Sequence, residues 1–511
     1  MLFALAMLPV QPARAADPTV RTAQGLVQGA TAQGVDAYLG IPFAAPPVDA
    51  VRWRPPQPAR AWSRLRRADR YGPSCPQIDT LGAFAAPSRE EDCLYLNVFA
   101  PPGARGRKLP VMVWIYGGGL RAGAAQDYDP TALAREGVVV VTFNYRLGIL
   151  GYFADPAFGA SPNYGMLDQI AALAWVKQNI AAFGGDPGAV TIFGESAGAR
   201  SVAVLLASPP ARGLFRAAIM ESVGYSGTTL PLAAAQAKGQ AFATAVGCPQ
   251  ADAACLRDLP VDRLLATQGP YAGSAIAGTP ELPDALPAAL GSGRFNRVPV
   301  IAGWNRDEAT WQTASGEVAA GKPTTAEDYA RAISRFAAAA ADPRTAAERI
   351  AAAYPLAGYQ NPGQAVAAIS TDFGFVCPTR QMLRALAPWA PVRAYEFADR
   401  DSPQYNPPGS FPFGAAHTNE LQFLFPGFHG ATGTRHPLTP AEQQLAATMR
   451  RLWTNFAKTR DPNRGAGPTP AWTPYDPVRD DLLVLETPNA HMQGAPHNDA
   501  RHCDLWDSLA R

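Results

Sequence analysis

A serine hydroxyl becomes a nucleophile when a base takes its proton, and that base is most often a histidine held by a carboxylate. Ser196 stands in the run Val190-Thr-Ile-Phe-Gly194-Glu195-Ser196-Ala197-Gly198. A β-branched apolar stretch stops at Gly194, and Ala/Val/Leu-rich helical sequence continues from Ala197 to about Ala207. This reads as strand, sharp turn and helix, with Gly-x-Ser-x-Gly at the turn, a geometry that pushes the hydroxyl out of the sheet edge. Glycine on both sides tolerates close backbone contact, and the first amides of the helix point to where an oxyanion would form. The pentapeptide alone is a weak signal. The strand before it and the helix after it make it specific.

For a serine on such an elbow the chain order is serine, acid, histidine. All six histidines follow Ser196: His417, His429, His436, His491, His497 and His502. His417 lies in Gly414-Ala-Ala-His-Thr-Asn-Glu-Leu421, a small-residue loop before an apolar run, and is the expected base. The other five occupy polar or Pro/Gly-rich stretches, where a solvated histidine is the default. For the acid, the apolar run at 298–302 leads to Asp307 and Glu308, and catalytic groups collect at such carboxyl ends of strands. The residues alone do not choose between the two carboxylates, and a pair that only caps a helix remains open. Gly117-Gly118-Gly119 after the run Pro110–Tyr116, together with the Ala197 N–H, would supply oxyanion donors. No Gly-Lys-Ser/Thr or G-x-G-x-x-G follows the glycines, so a nucleotide site is not expected.

These groups need elements to hold them. Continuous apolar runs at 110–116, 137–143, 190–194, 217–220 and 298–302 predict strands buried on both faces, with a further strand at 392–397. Residues 94–99 alternate as a strand does, and 17–60 predict a small hairpin leading into a surface wrap. Helices are predicted at 168–180, 325–355 and 440–458, while 101–107, 311–324 and 399–412 read as turn-rich. Alternating strands and helices predict an α/β fold with a mostly parallel sheet covered on both sides. No linker or internal repeat interrupts it, so 17–511 is expected to be a single domain.

The bulk numbers set outer limits. Of 511 residues, 47% are hydrophobic and 17% charged, which suits a globular protein with a large core. A net charge of +2 gives no reason to expect a nucleic-acid partner. Arg64, Arg66 and Arg67 form the tight basic cluster, read as a solvated loop. Residues 1–16 combine a short apolar stretch with Ala13-Arg-Ala15 and predict a signal peptide, although a basic start is missing. No later apolar stretch predicts a membrane span. Six cysteines without a Cys-x-x-Cys pair favour disulfides over zinc, with fifteen possible connectivities. The expected setting is secreted or periplasmic.

Several segments together resemble the type B carboxylesterase/cholinesterase family. They are Gly40-Ile-Pro-Phe-Ala, Glu91-Asp-Cys-Leu-Tyr-Leu-Asn97, Trp114-Ile-Tyr-Gly-Gly-Gly119, Asn144-Tyr-Arg-Leu-Gly148, Phe183-Gly-Gly-Asp-Pro187, Phe193-Gly-Glu-Ser-Ala-Gly198 and Asp307-Glu308. The resemblance spans nearly the whole chain after residue 16. It implies the α/β-hydrolase fold, a triad of Ser196, Glu308 and His417, and oxyanion donors at Gly118, Gly119 and Ala197. It also implies disulfides Cys75–Cys93, Cys248–Cys255 and Cys377–Cys503, and a supporting carboxylate at Glu195 that stabilises the imidazolium. The activity it implies is hydrolysis of carboxylic esters through an acyl-enzyme, with no metal or organic cofactor; the composition of loop 76–92 adds the expectation of a soluble small-molecule ester.

The chain departs from the family pattern in several places. No tryptophan stands near Ala83-Phe84, where cholinesterases grip choline, which argues against a quaternary-ammonium site. Ala309 replaces the glycine usual after Asp-Glu. Arg121 and Arg200 flank the oxyanion segment and the nucleophile, and are expected to favour an anionic acyl group unless they face solvent or are paired structurally. Two rival readings are a lipase with 76–92 as a lid and a non-catalytic cholinesterase-like binding protein. The first is disfavoured by a loop poor in large apolar residues, the second by an intact Ser, His and oxyanion turn.

Overall fold

Strands without polar alternation can be buried on both faces, and here they form the centre of the molecule. The computed structural model describes residues 17–224, 229–249, 252–269, 273–407, 409–465, 471–494 and 499–509. The expected signal peptide at 1–16 and His497 lie outside the described residues. Among the described residues, eleven strands form one mixed sheet. In chain order they are β1 (Ala30–Ala32), β2 (Val35–Pro42), β3 (Tyr95–Ala100), β4 (Leu109–Ile115), β5 (Val139–Phe143) and β6 (Gly185–Glu195). The remainder are β7 (Ala217–Glu221), β8 (Val300–Asn305), β9 (Val392–Phe397), β10 (Leu482–Leu485) and β11 (His491–Gln493).

The spatial order is β11-β10-β9-β8-β7-β6-β4-β5-β3-β2-β1. Pairing is parallel from β10 through β5 and antiparallel at both edges. Every residue of β5, β7, β8 and β9 is buried, so both faces of the sheet are covered. Buried polar residues at the strand ends, Glu221 and Asn305 among them, therefore need local partners.

The helices that matter for the site are α1 (Tyr164–Asn179), α2 (Ala197–Ala207), α3 (Thr310–Ala320), α4 (Ala326–Ala337), α5 (Pro343–Ala353), α6 (Pro362–Thr371), α7 (Cys377–Leu386), α8 (Pro440–Thr459) and α9 (Cys503–Leu509). A π-turn, Asp372–Val376, joins α6 to α7. Helix α8 starts at a capping box in which Thr439 and Glu442 exchange hydrogen bonds, with Pro440 at the first helical position. Cys75 is joined to Cys93, Cys248 to Cys255, and Cys377 to Cys503, the last tying the start of α7 to the start of α9.

Three expectations need correction. The segment 311–324 is not mainly turn: 310–320 is helix α3, ended by Gly321 in the left-handed region. Its period is obscured by Gly316 and polar residues, and it is held instead by Glu317, which accepts from the Thr324 N–H at 2.9 Å and the Ser410 N–H at 2.8 Å. The stretch 325–355 divides into α4 and α5 because Asp342 caps a new helix with Pro343 at its first position. Arg66 and Arg67 are not a loose loop. They pair with Val27–Gln28, and the Arg66 guanidinium lies 5.5 Å from the Trp62 ring.

Candidate active site

Strand β6 delivers Ser196 and α2 leaves from it. The serine backbone is held at φ +55° and ψ −121°, a costly conformation for a side chain-bearing residue. Its N–H donates to the Glu221 carbonyl at 2.9 Å, which fixes the turn to β7. A Cβ at Gly194 would come within 2.5 Å of the Ile115 carbonyl oxygen, and one at Gly198 would collide with the same oxygen. Glycine is therefore required on both sides by the end of β4. Ser196 is half-buried between buried Glu195 and Ala197 and lines the cavity.

The end of β4 also carries the glycine turn expected to hold an oxyanion. Gly118 and Gly119 adopt φ +100° and +67°, and the Arg121 and Ala122 N–H groups donate to the Gly118 carbonyl at 3.1 and 3.0 Å. The turn is braced from the loop after Cys75: the Gly123 N–H donates to Gln77 Oε1 at 2.7 Å, and Gln77 Nε2 returns a bond to the Gly123 carbonyl.

The expected acid and base, Glu308 and His417, come from loops beyond β8 and β9. Glu308 Oε1 accepts from the Asn305 N–H at 2.8 Å, and Oε2 lies 2.6 Å from His417 Nδ1. The His417 N–H donates to the Glu308 carbonyl at 3.2 Å, so the two residues are joined by backbone and side chain. Asp307 does different work. It accepts two bonds from Arg400 at 3.0 and 2.8 Å and one from the Ala415 N–H at 3.0 Å, pinning the loop that carries His417. Asn305 Nδ2 adds a bond to the Ala416 carbonyl at 2.7 Å. The imidazole is sandwiched by Trp311, stacked at 5.9 Å, and Phe375 of the π-turn at 5.0 Å.

The Nε2 edge of the ring meets Glu195, whose Oε1 is 3.0 Å away. Burial raises the Glu195 carboxyl well above the usual range, reinforced by the nearby charges of Glu308 and Glu221. Burial likewise pushes Glu221 up to about 8, opposed by its bond from Trp453 Nε1 at 2.8 Å. Glu420, which accepts from Asn305 Nδ2, is raised by burial and by Glu195, Glu221 and Glu308.

Ser196, His417, Glu195, Gly118 and Gly119 share one cavity of about 350 Å³. Phe84, packed on Tyr128 and Phe428, forms part of its wall, and Thr80 and Leu81 contribute from the same loop. Arg121 and Arg200 line it too, so both arginines singled out in the sequence reach the site. Of the remaining histidines, His502 is not simply solvated but half-buried edge-on against Tyr354, at 4.8 Å. Among the described residues no group of three or more His, Cys, Asp or Glu side chains is placed to hold a metal. Sequence reasoning missed Asn305, Asp307 as loop anchor, Trp311, Phe375 and Glu420. Only Asn305 and Asp307 had a signal, their place at the end of a buried strand.

The parallel centre with antiparallel edges, the elbow after β6 and the acid loop after β8 define an α/β-hydrolase. The sequence profile of the Carboxylesterase family matches residues 16–506. The chain belongs to the carboxylesterase family and is a carboxylic-ester hydrolase. It is 36% identical to fumonisin B1 esterase of Sphingopyxis macrogoltabida over 87% of this chain and 82% of that one. It is 35% identical to para-nitrobenzyl esterase of Bacillus subtilis (strain 168) over 91% and 94% of the two chains. A solved structure of PNB esterase superposes with a TM-score of 0.80 at 32% identity, covering 95% of this chain and 99% of that one.

Proposed function

We propose that Ser196 is the nucleophile, His417 the base and then the acid, and Glu308 the group that orients the imidazole. The observation that carries this reading is the 2.6 Å contact of Glu308 with His417 Nδ1, on a ring that shares a cavity with Ser196. Ser196 Oγ attacks the ester carbonyl and its proton passes to His417 Nε2. Glu308 accepts the Nδ1–H and stabilises the imidazolium. The N–H groups of Gly118, Gly119 and Ala197 receive the negative charge on the carbonyl oxygen. Collapse expels the alcohol, which takes the proton from Nε2. Water then repeats the sequence on the acyl-serine and releases the acid. Glu195, 3.0 Å from Nε2, is the supporting carboxylate of this reading, placed to stabilise the imidazolium.

Soluble small-molecule esters are the substrates this reading assigns. Leu81 and Phe84 are the large apolar side chains that loop 76–92 turns to the cavity, too few to cover a lipid-sized face. The three disulfides support an oxidising compartment, secreted or periplasmic. No helix among the described residues is long and apolar enough to cross a membrane. A contiguous core from Val20 to Trp506 supports treating 17–511 as one folding unit.

Hydrolysis of p-nitrophenyl acetate and butyrate by the wild type and by Ser196→Ala tests the assignment. The variant should lose activity by roughly 10⁴-fold or more while keeping its melting temperature. Full activity in Ser196→Ala would refute it. A jump in rate above the solubility limit of a longer ester would favour a lipase.

A further inference from the structure

Among the described residues the buried arginines pair with carboxylates, whereas half-buried Arg216 and Arg450 bond to backbone carbonyls. Arg146 binds Asp168 through two nitrogens, Arg380 pairs with Asp480, and Arg52 with Glu91. Arg200 differs. It lies one turn beyond Ser196 on α2, lines the catalytic cavity, and is partly buried. Its Nε donates to the Val223 carbonyl at 3.1 Å, and no carboxylate of the described residues forms an ion pair with it. The acid whose charge it feels is Glu195, already committed to His417. Burial works against the charge of the Arg200 guanidinium, and the nearby Glu195 carboxyl works in its favour. At the mouth of the same cavity stands Arg121, exposed, beside Gly273.

Both arginines hang from the segments proposed to cradle the carbonyl oxygen, Arg121 two residues past Gly119 and Arg200 three past Ala197. The leaving alcohol takes its proton from His417 Nε2, on a ring packed by Trp311 and Phe375. We infer that Arg200, assisted by Arg121, is a specificity residue that binds a carboxylate on the acid part of the ester, making monoesters of dicarboxylic acids the preferred substrate class. This rests on the esterase reading above. A planar guanidinium suits a carboxylate through two parallel N–H bonds, and no ion pair among the described residues engages that of Arg200.

The test compares p-nitrophenyl hydrogen adipate with p-nitrophenyl hexanoate, esters of equal acyl length that differ in the terminal carboxylate. In the wild type the ratio of kcat/KM, anionic over neutral, should exceed one, and Arg200→Gln should lower it by roughly tenfold or more. Arg121→Gln should lower it less, and Arg200→Lys should restore part of the loss. If Arg200→Gln does not fold, the wild type still decides: the monoamide of adipic acid, which keeps one carboxylate, should inhibit p-nitrophenyl butyrate hydrolysis at lower concentration than neutral hexanamide does. An unmoved ratio in a folded, active Arg200→Gln, or equal inhibition by the two amides, overturns the inference and leaves the esterase reading standing. A wild type that hydrolyses neither ester overturns both.

Discussion

The two halves of the site are built by different means. The nucleophile half, from Ile115 to Gly119 and from Gly194 to Gly198, is fixed by backbone crowding: strand ends lie so close that side chains are excluded at Gly194 and Gly198. The base half, Asp307–Ala309 and Ala415–Glu420, is fixed by side chains that reach across loops. Asp307, Asn305 and Glu308 each hold a backbone group of their own or the neighbouring loop. The first half tolerates almost no change in volume, whereas the second can be loosened one hydrogen bond at a time.

Substitutions can break this contrast. The largest effect is expected at Glu308→Gln, which keeps the shape but removes the charge facing Nδ1, lowering kcat by roughly 10³–10⁴-fold with little change in melting temperature. A loss under tenfold would mean that another group orients His417. Gly198→Ala should act on folding instead, costing about 3 kcal/mol because the methyl meets the Ile115 carbonyl. Chemical denaturation measures this, and an unchanged midpoint would show that the strand ends can part.

Legibility in the sequence followed the same divide. The elbow, the glycine turn and the strands buried on both faces could be read because backbone geometry demands particular residues there. Glycine is imposed by contact, and β-branched runs by burial. The choice between Asp307 and Glu308 could not be read from the residues, since both sit in one turn and only its fold decides which faces His417. The family resemblance pointed to Glu308. Helix α3, with Trp311 at its start, stayed hidden because packing of Ala314 and bonds to Glu317 hold it, not an apolar period. Phe375 belongs to a π-turn whose Asp372-Phe-Gly-Phe-Val carries no local signature.

Two smaller effects sharpen the contrast. Asp307→Asn weakens the grip of Ala415 and Arg400 on the base loop without touching the reacting groups, and should lower kcat by about tenfold. Steady-state kinetics beside Glu308→Gln would separate a positioning carboxylate from the orienting one, and equal losses would erase the distinction. Glu221, behind the elbow, makes the nucleophile half sensitive to pH. Its carboxyl is pushed up to about 8 by burial, from an ordinary 4.5. The folded state thus keeps a proton that the unfolded chain has released, and stability falls as pH rises through that window. Glu195 and Glu420 shift in the same direction, so Glu221→Gln should flatten the decline in melting temperature between about pH 5 and 8 without abolishing it. Parallel curves for variant and wild type would contradict this.

The central claim is that Ser196 is the residue that becomes acylated. Intact mass and peptide mapping after treatment with an organophosphate such as paraoxon address it most directly. One phosphoryl adduct, on the peptide containing Ser196, should rise in step with loss of hydrolysis and be absent from Ser196→Ala. An adduct on another residue that tracks inactivation would contradict the account.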